Sequence, residues 1–221
     1  MSKPFLTFSS LTKKFFIALA GLFLISFLVV HLSINLLLLK SDGGAAFAQA
    51  VKFMTTNPVV KVMEIVLLSG FIFHIILGII LQVQNWVARP KRYRIEGYSH
   101  ISFFSKYMIH TGAIILIFLV IHFTNFYFVK LGWVNAPGNI DKEDFYQMAG
   151  LLFADRRYAI FYMVMFIILG FHLNHAFQSA FQSLGLNHSK YTPVIKILGN
   201  FYSIMVPLGF MIIPVYYHFV R

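Results

Sequence analysis

The sequence contains no cysteine. Without thiols this chain forms no disulfide bond, attaches no c-type haem covalently and holds no cysteine-ligated iron–sulfur cluster. Any iron–sulfur centre that works with this chain must therefore lie on a partner.

Charged residues are also scarce, at 11% of the chain, whereas 59% of the residues are hydrophobic. Five stretches carry no Asp, Glu, Lys or Arg, and they are Phe15–Leu39, Ile65–Ala88, Tyr107–Val129, Tyr158–Ser189 and Ile197–Val220. Each exceeds the roughly 20 residues that span about 30 Å of hydrocarbon. The sequence therefore predicts an all-α membrane protein of one domain, residues 1–221. Its transmembrane helices are expected at 14–39, 60–88, 104–130, 157–185 and 194–220, with the first four forming a four-helix bundle.

Acidic residues are the rarer charge type, 7 against 18 Lys and Arg, so the formal net charge is +11. In a soluble protein this charge would suggest nucleic acid as a partner, but in a membrane protein topology explains it better, and no nucleic acid is expected. Basic residues cluster in the segments that are cytoplasmic if the N-terminus is inside: Lys3, Lys13, Lys14, Arg89, Lys91, Arg92, Arg94, Lys106, Lys190 and Lys196. We therefore predict a multi-pass protein of the cell inner (cytoplasmic) membrane with a cytoplasmic N-terminus.

The first apolar run, at about 25 residues, is too long for a cleaved signal peptide and is expected to remain as an anchor.

Four of the nine histidines lie inside four different uncharged runs: His31, His74, His122 and His172. An ionisable group at bilayer depth is costly and by default indicates a functional site. Four imidazoles on four helices supply two axial ligands to each of two haem b irons, and bis-histidine ligation favours electron transfer over oxygen chemistry. The alternative is a haem-free proton path. Such a path usually carries buried carboxylates, whereas the apolar runs have none and Glu64 lies only at the outer edge of the second helix.

The depths of these histidines sort them into two pairs. His31 and His122 lie roughly 6–7 Å outward of the centres of their runs, at about 1.5 Å per residue. His74 and His172 lie close to the centres of theirs. The expected ligand pairs are therefore His31 with His122 for an outer haem and His74 with His172 for an inner haem.

Small and amide side chains accompany the histidines. The first and third helices share the pattern Gly-x9-His, beginning at Gly21 and Gly112, which chance similarity between apolar helices also explains. Asn35 and Asn125 follow the outer histidines by about one turn and could hold the second ring nitrogen, as ligating imidazoles require. Helix capping or hydrogen bonding between helices is the competing explanation for both amides.

The fourth helix offers two candidate ligands, His172 and His175, which share a face, so spacing alone does not choose between them. The histidine that is not a ligand would bind a haem propionate or a neighbouring helix. The remaining histidines of the sequence are expected to be surface or packing residues: His100, His110, His188 and His218.

The segment Phe171 to Gly185, FHLNHAFQSAFQSLG, together with five helices and one histidine on each of the first four, resembles a known family. It is similar to the single-subunit dihaem cytochrome b anchor of succinate dehydrogenases and fumarate reductases, closest to the type of Bacteroidetes-like bacteria. The resemblance covers nearly the whole chain. In that family the ligand of the fourth helix precedes a helix-ending glycine by thirteen positions, which implies His172 rather than His175. Some members carry a glutamate where this chain has Gly170, so proton movement through such a side chain is not implied here.

The resemblance also implies partners. A flavoprotein subunit would act on succinate or fumarate, and an iron–sulfur subunit would dock on the basic inner surface that includes Arg89 to Arg94. This chain would anchor both in the lipid bilayer and carry electrons between the iron–sulfur subunit and membrane quinone, usually menaquinone, without itself catalysing succinate chemistry. The resemblance leaves open whether the complex forms a homodimer. The alternative is a dihaem cytochrome b subunit of a hydrogenase or formate dehydrogenase.

Overall fold

The computed structural model describes residues 9–88 and 107–220. Within these ranges there are no strands, and the chain forms seven main helices. They are α1 (Ser10–Asn35), α2 (Ala45–Thr56), α3 (Pro58–Val87), α4 (Met108–His122), α5 (Phe145–Ala154), α6 (Arg156–Ser183) and α7 (Thr192–Val215). Shorter helical segments extend three of these helices. A 3-10 helix, Leu36–Leu39, follows α1, and a π-helix, Tyr216–Val220, follows α7. Helix α4 continues as a π-helix, Phe123–Tyr127, and then as a short α-helical turn, Phe128–Lys130. The prediction of an all-α protein is confirmed.

Five helical segments of the described chain are long and apolar enough to cross a membrane. They are Leu11–Leu39, Pro58–Val87, Met108–Lys130, Arg156–Ser183 and Thr192–Val220. Each matches a predicted span to within a few residues, although the expected start of the third span, at residue 104, lies outside the described residues. The chain is thus a multi-pass membrane protein. The end of the bundle near α2 and α5 is called the outer end below, and the end near the start of α1 the inner end, after the predicted topology.

Local capping explains where the long helices begin. The side chain of Asn57 accepts hydrogen bonds from the backbone N–H groups of Val59 and Val60, and Pro58 occupies the first turn of α3, a position that suits a residue without an N–H. Asp155 caps α6 in the same way by accepting from the N–H of Arg157 at 2.8 Å. The Arg157 guanidinium also bonds the Asp155 carboxylate and lowers its pKa. Both caps lie at the outer end.

The packing of the membrane helices follows the order α3–α1–α6–α4. Helix α1 packs against α3 and α6, α6 packs against α4, and α7 covers both α1 and α6. Helices α3 and α4 pack little against each other, but Lys130 at the end of the third span contacts Glu64 of α3 at 3.1 Å. This contact brings the two outer ends together. Helices α1 and α4 therefore face each other across the ring, as do α3 and α6.

Helices α6 and α7 approach each other closely at Gly170. A Cβ atom at this position would lie 2.9 Å from the backbone oxygen of Ser203, a distance that real Cβ contacts essentially never show. Asn174, one turn further along α6, donates to Asn200 at 2.8 Å and to Ser203 at 3.1 Å. Amide groups commonly join helices in membranes in this way. The close approach of the Ser203 backbone gives a physical reason for glycine at position 170.

The most buried side chains lie toward the outer end. Phe47 of α2 and Phe153 of α5 join Tyr162, Phe210 and Tyr217 of the membrane helices in one apolar cluster. The turn before α2 contains Gly44 at φ +89°, and a Cβ there would lie 2.6 Å from the Tyr146 ring. The outer connections thus pack onto the bundle close to the level of the outer histidines.

Candidate functional site

His31 and His122 meet across the ring of helices. His31 lies in α1 and His122 ends α4, immediately before the π-helical turn. Their ring centroids are 5.9 Å apart and their ring planes are nearly perpendicular, at 83°. Since their two helices do not pack extensively against each other, the contact is made by the imidazoles reaching inward. The structure therefore brings together the outer pair that depth predicts.

Polar side chains accompany the Nδ1 atom of each outer histidine. The amide nitrogen of Asn35 lies 3.4 Å from Nδ1 of His31 and donates to the carbonyl oxygen of the same residue at 2.8 Å. The hydroxyl of Tyr162 lies 3.4 Å from Nδ1 of His122 and accepts a hydrogen bond from Asn125 at 3.1 Å. At 3.4 Å both contacts to the rings are long and do not define which ring nitrogen carries the proton.

Aromatic rings surround the outer pair. Phe27 stacks on His31, with centroids 5.2 Å apart and planes inclined by 20°, and Phe210 lies 5.6 Å from the same imidazole. Phe126 and Phe118 lie 5.3 and 5.8 Å from His122. These rings make the outer site apolar, which suits a planar aromatic group and excludes water from it.

His74 and His172 each lie against a glycine of a neighbouring helix. A Cβ built on Gly21 of α1 would be 3.6 Å from Cε1 of His74, and one built on Gly112 of α4 would be 3.5 Å from Cε1 of His172. The two glycines are those of the Gly-x9-His pattern. Helices α1 and α4 thus each carry one outer histidine and, ten residues earlier, a small residue against one inner histidine.

The Nδ1 atoms of the inner histidines differ in their partners. Nδ1 of His172 lies 3.2 Å from the hydroxyl oxygen of Thr111. Nδ1 of His74 is buried, and no group of the described chain completes a hydrogen bond with it. The backbone of Ile17 lies close to the His74 ring, but it does not meet the distance and angle of a hydrogen bond to Nδ1.

His31, His122 and His172 make their polar side-chain contacts through Nδ1. Each of these three histidines can therefore present Nε2 to a metal ion while Nδ1 faces the protein, the usual arrangement of metal-bound imidazole. Among the described residues no group of three or more His, Cys, Asp or Glu could hold a metal ion. The candidate ligands thus come as pairs.

The other histidines lie in different surroundings. His175 is partly buried on α6 and lies within electrostatic reach of His172. His110 is exposed near Tyr107, and His188, between α6 and α7, accepts a hydrogen bond from the N–H of Lys190. His218 lies beside Phe219 at the outer end of α7. His100 and the basic segment from Arg89 to Arg94 lie outside the described residues.

Asn35 lies beside its histidine, as the sequence spacing predicts, whereas Asn125 donates to Tyr162 of α6, the hydrogen bond between helices that was the competing explanation. The sequence did not predict the roles of Tyr162 and Thr111. Asn35 is four residues from its histidine, a spacing that predicts contact on a helix. Tyr162 and Thr111 are separated from their histidines by 40 and 61 residues. A polar side chain in an otherwise apolar run indicates that such a residue has a polar partner, but it does not identify which residue that partner is.

No protein-family model, no curated protein and no solved structure matches this chain. The functional argument therefore rests on the residues described above.

Proposed function

We propose that this chain is the membrane anchor and electron-transfer subunit of a succinate:quinone oxidoreductase and holds two b haems. The observation that carries the proposal is the contact between His31 and His122, 5.9 Å between ring centroids, made from helices on opposite sides of the ring. The second pair, His74 and His172, lies on the other two opposing helices, each ring seated on a glycine. The rings of this second pair make no direct contact like that of the outer pair, but His74 lies within electrostatic reach of His172.

The geometry of the outer pair fits one metal ion between two imidazoles. Metal–imidazole bonds are about 2 Å long, judged from zinc sites, so two opposed imidazoles on one ion have centroids roughly 6 Å apart. The distance between His31 and His122 agrees with this value. When bound there, haem iron supplies a one-electron couple with no free coordination position.

The surrounding side chains would tune and protect such a site. Phe27, Phe118, Phe126 and Phe210 keep water away from the outer pair, and solvent access is one determinant of a metal site's reduction potential. Asn35 and Tyr162 lie beside Nδ1 of the outer rings, each at 3.4 Å. His172 is the ligand that we assign on α6, because it is the histidine that contacts Gly112 and Thr111 of α4.

The partners follow from the absence of cysteine and from the family resemblance. With no cysteine in the chain, electrons would arrive from an iron–sulfur subunit that also binds a flavoprotein subunit. The electron acceptor or donor in the membrane would be a quinone, most simply menaquinone. We place both extrinsic subunits on the inner side of the cytoplasmic membrane, where the N-terminus is also proposed to lie.

The test is to express the chain together with the proposed flavoprotein and iron–sulfur subunits in cells supplied with haem. The complex is then purified, and its reduced-minus-oxidised absorption spectrum is recorded. We expect b-type bands with two haems per chain, a flavoprotein and an iron–sulfur protein in the complex, and succinate-dependent quinone reduction. Absence of b-type bands would overturn the haem assignment. Two haems with hydrogenase or formate dehydrogenase subunits as the partners would instead assign the chain to another respiratory complex.

A further inference from the structure

The two glycines that contact the inner histidines are preceded by different residues. In α4, Thr111 precedes Gly112, and in α1, Ala20 precedes Gly21. Because both helices share the Gly-x9-His pattern, Ala20 and Thr111 occupy corresponding positions, each one residue before the glycine that contacts an inner imidazole. The hydroxyl group on α4 has no counterpart on α1.

The hydroxyl of Thr111 has one hydrogen, and that hydrogen is already used. Thr111 donates to the backbone carbonyl of Met108, three residues earlier, at 2.9 Å. A hydroxyl has one donor hydrogen and two acceptor lone pairs, so both contacts are hydrogen bonds at the same time only when the Thr111 oxygen accepts from Nδ1 of His172, 3.2 Å away. In that arrangement Nδ1 of His172 carries the proton, and its Nε2 carries the lone pair that a metal requires.

The corresponding group on α1 is a bare carbonyl. Ile17 precedes Ala20 by three residues, as Met108 precedes Thr111. The backbone of Ile17 lies within interaction range of His74, but without a hydroxyl between them Nδ1 of His74 has no completed hydrogen bond. The two inner imidazoles are therefore held unequally.

We propose that Thr111 is a positioning residue that holds His172 in the Nδ1–H tautomer and raises its basicity as a ligand of the inner haem, while His74 lacks an equivalent partner. This inference rests on the proposed function. A hydrogen bond donated by Nδ1–H, the ring nitrogen that does not bind the metal, makes an imidazole a more basic ligand. A more basic ligand stabilises ferric iron relative to ferrous iron. Thr111 thus lowers the midpoint potential of the inner haem and leaves that of the outer haem unchanged.

The experiment is a redox titration of the purified holo complex, followed in the haem absorption bands and by electron paramagnetic resonance of the ferric state. Thr111→Val removes the hydroxyl at nearly constant volume. We expect the ratio of ferric to ferrous stability of the inner haem to fall by up to about tenfold, which raises its midpoint potential by up to 59 mV for one electron. Loss of haem from His122→Ala identifies the step that belongs to the outer site.

Three further variants separate positioning from packing. Thr111→Ser keeps the hydroxyl and should retain the wild-type potential. Thr124→Val is the matched control, because Thr124 lies on the same span and donates to the backbone of Val120 at 2.8 Å, with no histidine among its described hydrogen-bond partners. Ala20→Ser should place a hydroxyl beside His74 and move the inner potential in the opposite direction, downward.

The outcomes are distinct. An upward shift of the inner step in Thr111→Val, absent from Thr111→Ser and Thr124→Val, supports the proposal, as does selective loss of the inner haem in Thr111→Val with both haems kept in Thr111→Ser. An unchanged inner step, a shift of the outer step, an equal effect of Thr124→Val, or no effect of Ala20→Ser overturns it. A wild-type complex without haem overturns the proposed function itself, whereas two haems with an unchanged inner step overturn only the role of Thr111.

Discussion

At the scale of single residues, the four deep histidines share a type and a depth range but not a hydrogen-bond environment. His172 faces a hydroxyl, His122 a phenol, His31 an amide and His74 no completed partner. Groups that hydrogen-bond a ligating imidazole tune its basicity. Four different environments therefore predict that the two proposed haem sites differ in midpoint potential.

The pairing of the histidines predicts a selective effect of His122→Ala. The substitution removes one proposed ligand of the outer pair and leaves His74 and His172 in place on α3 and α6. We expect the haem content to halve, with only a modest change in the spectrum of the remaining haem. The measurement is haem per chain in purified protein, with circular dichroism to verify the helices.

His175→Asn is the control on α6 for this prediction. It lies one turn from His172 and should leave both haems bound. Loss of both haems from well-folded His122→Ala protein would argue against two separate sites. A one-haem product from His175→Asn would move the ligand assignment to His175.

The sequence predicts single residues well only where their partners are local. The amide of Asn35 lies one turn from His31, and its proximity follows from helix geometry. Tyr162 and Thr111 reach their histidines from other helices, across 40 and 61 residues of chain. Those contacts depend on how α4 and α6 pack and rotate about their axes, which residue spacing along one helix does not define.

At the scale of helices, the spans are predictable because bilayer thickness sets their length. Their starts follow from local chemistry at Asn57, Pro58 and Asp155. Gly170 is different. The glycine is visible in the sequence, but its reason is the Ser203 carbonyl of α7, 2.9 Å from where a Cβ would lie.

The close contact of α6 and α7 predicts that Gly170→Ala is destabilising. The methyl group would push α6 away from α7, and overpacking of this kind typically costs about 1–3 kcal/mol. Gly78→Ala is the matched control, because its Cβ would meet Ile17 at an ordinary 3.7 Å. Thermal unfolding of the detergent-solubilised protein should show a lower midpoint for Gly170→Ala and an unchanged one for Gly78→Ala. Equal midpoints for both variants would contradict the close approach.

At the scale of the whole molecule, the number of spans was predictable and the packing order α3–α1–α6–α4 was not. Asn174 and Gln178 form a short polar stripe on α6 that bonds Asn200 of α7, but the first three spans carry no comparable stripe that would indicate their neighbours. The ring is closed at its outer end by Glu64 and Lys130, two of the few charges near the apolar runs. The opposing helices α1 and α4 then bring together His31 and His122, which are 91 residues apart in the sequence. Their similar depth in the membrane predicts this pairing, but the packing order is needed to produce the contact.

The orientation of the whole bundle can be tested with the residue type that the chain lacks. Because there is no cysteine, a single introduced thiol is the chain's only target for a membrane-impermeant maleimide. Ser41, between α1 and α2, and Ser189, between α6 and α7, are both exposed but lie at opposite ends of the bundle. If the N-terminus is cytoplasmic, Ser41→Cys should be labelled in intact cells from which any outer membrane has been removed. Ser189→Cys should be labelled only after lysis. Labelling of the denatured proteins controls for differences in thiol reactivity. The reverse pattern would put the N-terminus outside, and the end of the bundle that we assign to the iron–sulfur subunit would then face away from the cytoplasm.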